Sequence, residues 1–187
     1  MRKQINLFLI IALVCLLSCS IDKQSNDLSI DSKRIGDFQL CTKISDLIKK
    51  YPKAKPMDFE GDEGATWKGF KITFPNQEWI IIEASWIDTD KIWRMTTNSS
   101  KYTTINGYKV GDKISKIKKN GDRISYYESE MGFELLSNKL NFGFELEDRY
   151  TESFYKKINA CNNCPDYMSL LDDNASIQSI TITGECK

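Results

Sequence analysis

The hydrophobic pattern opens with an unbroken apolar run, Leu7 to Leu17, eleven residues behind the basic pair Arg2 and Lys3. A bilayer-spanning helix needs about 20 apolar residues, so this segment is too short and reads as an export signal that is removed. It closes on Leu16-Leu17-Ser18-Cys19, and polar sequence follows at once. From Ser20 to Lys33 only Ile21, Leu28 and Ile30 interrupt the polarity, which predicts a flexible stalk. Extended, it reaches at most roughly 45 Å.

Beyond the stalk the pattern becomes periodic, and it repeats. Phe38-Gln-Leu-Cys-Thr-Lys-Ile-Ser-Asp-Leu-Ile-Lys-Lys50 aligns without gaps on Tyr108-Lys-Val-Gly-Asp-Lys-Ile-Ser-Lys-Ile-Lys-Lys-Asn120, at an offset of 70. Each copy reads as a short strand, a tight turn and an amphipathic helix. In the first, Ile44, Leu47, Ile48 and Tyr51 fall on one helical face, with Thr42 as the expected N-cap and Pro52 as the stop. In the second, Asp112 is the expected cap, Ile114 and Ile117 face inward, and Asn120-Gly121 ends the helix.

Strand periodicity follows each helix. Phe70, Ile72 and Phe74 alternate, as do Phe142, Phe144 and Leu146, which pairs them at an offset of 72. Ile92, Met95 and Thr97 match Ile177, Ile180 and Ile182 at an offset of 85, so the second copy carries its extra residues between Leu146 and Ile177. Trp79 to Ile87 is a central strand by its apolarity, with Ile80, Ile82, Ala84 and Trp86 on one face. Asp88-Thr89-Asp90 turns the chain into the next strand. Arg123 to Tyr127, Gly132 to Ser137 and Leu140 to Leu146 complete the strands.

The expected fold is α+β: two tandem strand-helix-antiparallel meander repeats, with the helices packed on one face of an antiparallel sheet. The divisions are a signal at 1–18, a lipidated Cys and stalk at 19–34, a first repeat at 35–100 and a second, Cys-containing repeat at 101–187. Leu16-Leu17-Ser18-Cys19 resembles the lipobox of bacterial lipoproteins, which implies lipidation at Cys19. The strand, small residue, Ser/Thr/Asp and Ile-x-x-Leu/Ile sequence is similar to the motif of the BamE (SmpA/OmlA) outer-membrane assembly lipoproteins. In tandem it looks like the β-lactamase-inhibitor-protein fold, with Lys101 to Ile114 the most similar stretch. Cys41 stands where that motif has Gly. The resemblance implies a protein-docking module in the cell envelope, anchored to a membrane through lipid.

Composition narrows the chemistry. The chain has no His, which removes Ser-His-Asp and Cys-His nucleophiles and His-ligated zinc. Lys and Arg number 26, as do Asp and Glu, and without Arg2 and Lys3 the balance is 24 to 26, so no basic field for nucleic acid exists. No catalytic, metal or cofactor residue is assigned, and the chain is expected not to be an enzyme. Glu128, Glu130, Glu134, Glu145 and Glu147 read as an exposed sheet face, and Glu60-Gly-Asp-Glu-Gly64 as a solvated turn.

Cys41, Cys161, Cys164 and Cys186 are disulfide candidates with three possible connectivities, and the three C-terminal ones are expected to cluster. Cys161-Asn-Asn-Cys164 has redox spacing, but it lies among turn formers. Trp86 is expected to be buried. Trp79, Trp93, Tyr126 and Tyr127 are the candidate binding-surface aromatics. The functional expectation is a non-catalytic protein-interaction module. A small-ligand or glycan-binding lipoprotein using those aromatics is the first alternative, and a Cys-dependent redox protein the second.

Overall fold

In the computed structural model, residues 27–61, 64–122, 124–129, 132–137, 142–161 and 167–186 are described. Cys19, the signal and Cys164 lie outside them. The elements in chain order are β1 (Ser29–Ile30), β2 (Arg34–Ile35), β3 (Phe38–Gln39), α1 (Ile44–Lys50), β4 (Lys55–Glu60), β5 (Thr66–Thr73), β6 (Trp79–Ala84) and β7 (Ile92–Thr97). They continue with β8 (Thr103–Thr104), α2 (Ile114–Lys119), β9 (Ile124–Ser129), β10 (Gly132–Ser137), β11 (Phe142–Leu146), α3 (Asp148–Asn159), α4 (Tyr167–Leu170) and β12 (Ile177–Thr183). The class is α+β, with two sheets and a few short helices.

The large sheet has eight strands in the order β4-β5-β6-β7-β12-β11-β10-β9, antiparallel throughout. A small sheet has the order β3-β2-β1-β8, with β1 and β8 parallel. Alternation sets what each face of the large sheet carries. Ile80 and Ile82 of β6, Met95 of β7, Ile180 and Ile182 of β12, and Phe142 and Phe144 of β11 share one buried cluster. The same cluster contains Ile44 of α1, Ile114 and Ile117 of α2, Phe154 of α3 and Met168 of α4. Trp67 is also buried, but outside that cluster.

The polar stretch before the first helix is not all stalk. Ser29 and Ile30 pair with β2 and β8, and Ile30 is fully buried. A two-residue strand carries too little periodicity to register against its polar neighbours.

The two helix starts are built alike, one residue later than the side chains suggested. Lys43 and Lys113 are the N-caps, and neither makes a side-chain capping bond. The Thr42 hydroxyl donates instead to the Gln39 carbonyl (2.7 Å), and Asp112 Oδ2 accepts from the Lys109 amide (2.9 Å). The first-turn amides find acceptors across the fold. Ile44 N–H donates to the Asp90 carbonyl (2.8 Å), and Ile114 N–H to the Ala175 carbonyl (2.9 Å). The orphan donors of a helix start need a partner, and here the loops leading into β7 and β12 supply it.

The turns ahead of the helices also match. Cys41 N–H donates to the Ile92 carbonyl (2.7 Å) and Gly111 N–H to the Ile177 carbonyl (2.8 Å). Both residues have positive φ, +65° at Cys41 and +90° at Gly111. A left-handed residue costs a non-glycine roughly 1–2 kcal/mol, and Gly escapes that cost.

The strand correspondence differs from the one periodicity suggested. β6 meets β7 through Ile80↔Thr97, Ile82↔Met95 and Ala84↔Ile92, with an irregularity between Glu83 and Ala84. β11 meets β12 through Phe142↔Ile182, Phe144↔Ile180 and Leu146↔Ile177, with an irregularity between Glu145 and Leu146. Ile80, Ile82 and Ala84 therefore sit where Phe142, Phe144 and Leu146 sit, an offset of 62. The offset-72 pairing with Phe70, Ile72 and Phe74 is wrong, because three alternating apolar residues fit any inner strand equally well.

Cys41 is disulfide-bonded to Cys186, 145 residues away, with Cα atoms 5.2 Å apart. Cys186, expected to cluster with Cys161 and Cys164, is thus bonded to Cys41 instead. Cys186 lies in the segment leaving β12, which runs beside β7. Cys161 is itself disulfide-bonded. Because Cys41 holds a left-handed backbone, Cys41→Gly should be more stable than Cys41→Ala when both are made in a Cys186→Ser background. The expected difference is about 1 kcal/mol, measured by urea unfolding.

Candidate binding surface

The sheet face that carries Trp67 has its own small aromatic cluster. Phe59 lies opposite Trp67 across β4 and β5, and their rings stack at 5.8 Å and 9°. A Cβ at Gly69 would come within 2.6 Å of Phe59 Cε2, so only glycine lets that ring settle over β5. Met57, Phe59, Trp79 and Ile81 are half-buried on this face.

Glu83 anchors the cluster. It is only 1% exposed on β6 and accepts two bonds, from Trp67 Nε1 (2.8 Å) and from Arg94 Nε (2.6 Å). A buried carboxylate needs such partners, since an uncompensated buried charge is expensive. The guanidinium of Arg94 also lies 5.4 Å from the Trp93 ring centroid. Each carboxylate oxygen of Glu83 thus holds one structural partner, Trp67 on Oε2 and Arg94 on Oε1. In the second half Glu145 takes the equivalent place and accepts from Ser179 Oγ (2.6 Å).

From Arg94 the surface continues to Trp93 and Trp86, whose rings meet at 5.2 Å and 54°. Trp93 is the extra residue where β7 bulges, because Glu83 faces Arg94 and Ala84 faces Ile92. Trp93 Nε1 is buried without a hydrogen-bond partner. Trp86 is 60% exposed and Ile87 is 86% exposed. Trp86 was expected in the core as the next inward residue after Ala84, but β6 ends at Ala84. The Ser85 hydroxyl oxygen accepts the amides of Ile87 and Asp88 (both 3.2 Å) and turns the chain there. Ser85 ahead of Asp88-Thr89-Asp90 was the overlooked turn signal. Ile87, Glu83 and Arg94 were not singled out in the sequence.

Of the expected surface aromatics, Trp93 joins this patch. Trp79 lies at the other end of β6, with Lys71 Nζ 5.1 Å from its ring centroid. The side chains of Tyr126 and Tyr127 lie outside the described residues. No group of three or more His, Cys, Asp or Glu suited to a metal occurs among the described residues. No helix among them is long and apolar enough to cross a membrane.

The far end of β6 is polar and tightly bonded. Glu78 accepts from Ser99 Oγ (2.7 Å), Ser100 N (3.1 Å) and Ser100 Oγ (3.0 Å). Partial burial pushes its pKa up, but the bonds from Ser99, Asn76 and Ser100 outweigh that and hold it at about 2. Tyr102 lies beside this end, its hydroxyl pushed up to about 12 by burial and by the nearby Tyr51, Asp37 and Glu78. A Cβ on Gly36 would fall 2.6 Å from Tyr102 Cε1 and 2.9 Å from the Asp27 carbonyl oxygen. The described chain thus enters at this end of the large sheet, with Trp86 at the opposite end of β6. Five strand steps of about 3.4 Å separate Trp79 from Ala84, roughly 17 Å.

No family model and no curated protein matches the sequence. Among solved structures, the crystal structure of the uncharacterized protein yfeY from Escherichia coli is similar, with a TM-score of 0.54 at 10% identity. The match covers 83% of this chain and 99% of that one. At that identity the likeness concerns the fold alone.

Two outcomes are expected. Glu83→Gln removes the buried carboxylate that accepts from Trp67 and Arg94 and should cost about 3 kcal/mol in urea unfolding, with Glu83→Gln/Arg94→Gln costing less than the sum of the two single changes. The carboxyl of Glu78 is depressed from 4.5 to about 2 on folding, so its contribution is present above pH 4.5 and is lost as pH falls toward 2. Wild type should lose stability across that window, and Glu78→Gln should flatten part of the slope in acid titrations of unfolding.

Proposed function

We propose that this protein is a lipid-anchored, non-catalytic interaction module of the cell envelope that binds another envelope protein through the Trp86–Ile87–Trp93 patch. The observation that carries the reading is the exposure of Trp86 and Ile87 on a rigid support. Large apolar side chains exposed side by side mark interaction sites, and Trp is the residue most enriched in binding hot spots. The support is stiff because Trp93 sits in a bulge of a central strand, next to the buried Glu83–Arg94 pair.

The architecture fits this reading as two tandem units whose helices cover one face of the sheet. In its favour are the matched turn bonds at Cys41 and Gly111 and the matched strand irregularities at Glu83 and Glu145. The tether fits as well. A lipid on Cys19 leads into Asp27, at the end of the large sheet away from Trp86. The patch is then presented outward from the membrane. The absence of His agrees with a binding role.

The same two rings favour a second reading. Tilted Trp rings beside charged groups also suit a sugar ring, so a glycan-binding lipoprotein is the alternative. A glycan array separates the two.

The test begins with the anchor. Cys19→Ala should move the protein from the membrane to the soluble fraction and abolish labelling by a palmitate analogue. For the patch, wild type and Trp86→Ala/Ile87→Ala are crosslinked in native membranes. Capture of a specific envelope protein should drop at least tenfold in the double variant, whose unfolding midpoint stays near wild type because both side chains are exposed. Undiminished capture overturns the patch.

A further inference from the structure

We propose that the Cys41–Cys186 disulfide is a redox-sensitive latch on the Trp93–Trp86 patch. The inference rests on the binding role just given to that patch and adds its regulation.

The turn at Cys41 does not need a crosslink to form. Gly111 makes the same turn in the second half, with the same left-handed backbone and the same donation to a strand carbonyl, and with no disulfide. Cys at this position carries the steric cost of positive φ that Gly avoids. The crosslink must therefore serve something other than the turn.

What it holds is the segment leaving β12. Gly184 N–H donates to the Trp93 carbonyl (2.9 Å), and Cys186 Sγ lies 3.3 Å from the Ile92 carbonyl oxygen. A Cβ on Gly184 would fall 2.9 Å from Leu40 Cδ1, so the segment is seated against the strand that leads into Cys41. The disulfide thus fastens residues 184–186 over the bulge at its Trp93 end. Trp93 in turn supports Trp86, at 5.2 Å.

The bond is within reach. Cys41 is exposed, and disulfides that are exposed or strained are the labile ones in thiol exchange. The reductant is a dithiol, free or carried by a protein. One of its thiolates attacks Cys41 Sγ, the S–S bond breaks, and Cys186 leaves as a thiolate that takes up a proton. The second thiol of the reductant then attacks the mixed disulfide and releases Cys41. Two electrons and two protons pass to the protein, and the dithiol becomes a disulfide. Once Cys186 is free, residues 184–186 lift, the Trp93 carbonyl loses its donor, and the two rings lose their fixed geometry.

Hydrogen exchange and tryptophan emission test the latch without any binding partner. The mature chain is compared with its Cys41→Gly/Cys186→Ser variant, with no reductant, so the disulfide at Cys161 stays intact. Peptides covering 85–94 and 184–186 should exchange at least tenfold faster, relative to any change in β5 and β11, and emission should shift to the red. Unchanged exchange at 85–94 overturns the proposal. So does an equal rise across both halves, which would make the bond a global staple. Treating wild type with a dithiol should reproduce the local change at 85–94, and its failure to do so also counts against the latch. If exchange responds but Trp86→Ala/Ile87→Ala leaves partner capture unaltered, the latch stands and the binding reading falls.

Discussion

The fold depends on one pairing, between β7 and β12. These strands lie side by side at the centre of the eight-stranded sheet through Ile180↔Thr97, Thr181↔Thr96, Ile182↔Met95 and Thr183↔Arg94. Each terminates a run of neighbouring strands, β4 to β7 on one side and β9 to β12 on the other. Without this seam the two runs are separate meanders with exposed inner edges. The paired residues are about 85 apart in sequence, so the seam forms only after a long loop closes. The Thr96 and Thr181 hydroxyls hydrogen-bond across it at 2.9 Å. On the opposite face Met95 and Ile182 join the core to which all four helices contribute.

The seam also explains why the two halves echo one another in backbone detail. β7 and β12 each begin at a residue whose amide and carbonyl are used by the turn before a helix. Ile92 bonds Cys41 and Thr42; Ile177 bonds Gly111 and Asp112. That arrangement fixes the turn, demands a positive φ at its tight residue, and delivers the loop carbonyl that satisfies the helix start. A single geometric requirement thus accounts for a left-handed Cys in one half and a Gly in the other. It also accounts for caps made by distant carbonyls where Thr42 and Asp112 were the obvious local candidates.

The halves part company at the surface. All four Trp are in the first. After β6 the first half has only a short turn, which leaves Trp86 and Ile87 in solvent. After β11 the second half inserts α3 and α4, and Phe154 and Met168 from those helices are buried in the core. At the strand irregularity Glu83 meets an Arg, whereas Glu145 meets a Ser. The exposed Trp86 and Ile87 therefore arise where the two halves of the sheet differ, beside turns whose backbone bonds match.

By itself the sequence determined the class, the two helices that follow the matched turns and most strands, whereas α3 and α4 went unread in the insertion between Leu146 and Ile177. Ile44, Leu47 and Ile48, or Ile114 and Ile117, have a local period that only a helix can bury, and the motif offset of 70 marked the matching turns. The same local signal could not decide neighbours. Phe70 to Phe74 and Phe142 to Leu146 alternate alike, yet one strand lies third from the seam and the other second, because pairing is a property of the closed sheet. Trp86 continued an inward alternation on paper, but the Ser85 turn ended the strand first and turned a core residue into a surface one. Cys41 and Cys186 were legible as candidates. Their union was decided only by the seam, which brings the segment after β12 alongside β7, because two thiols 145 residues apart meet only when the chain between them has folded.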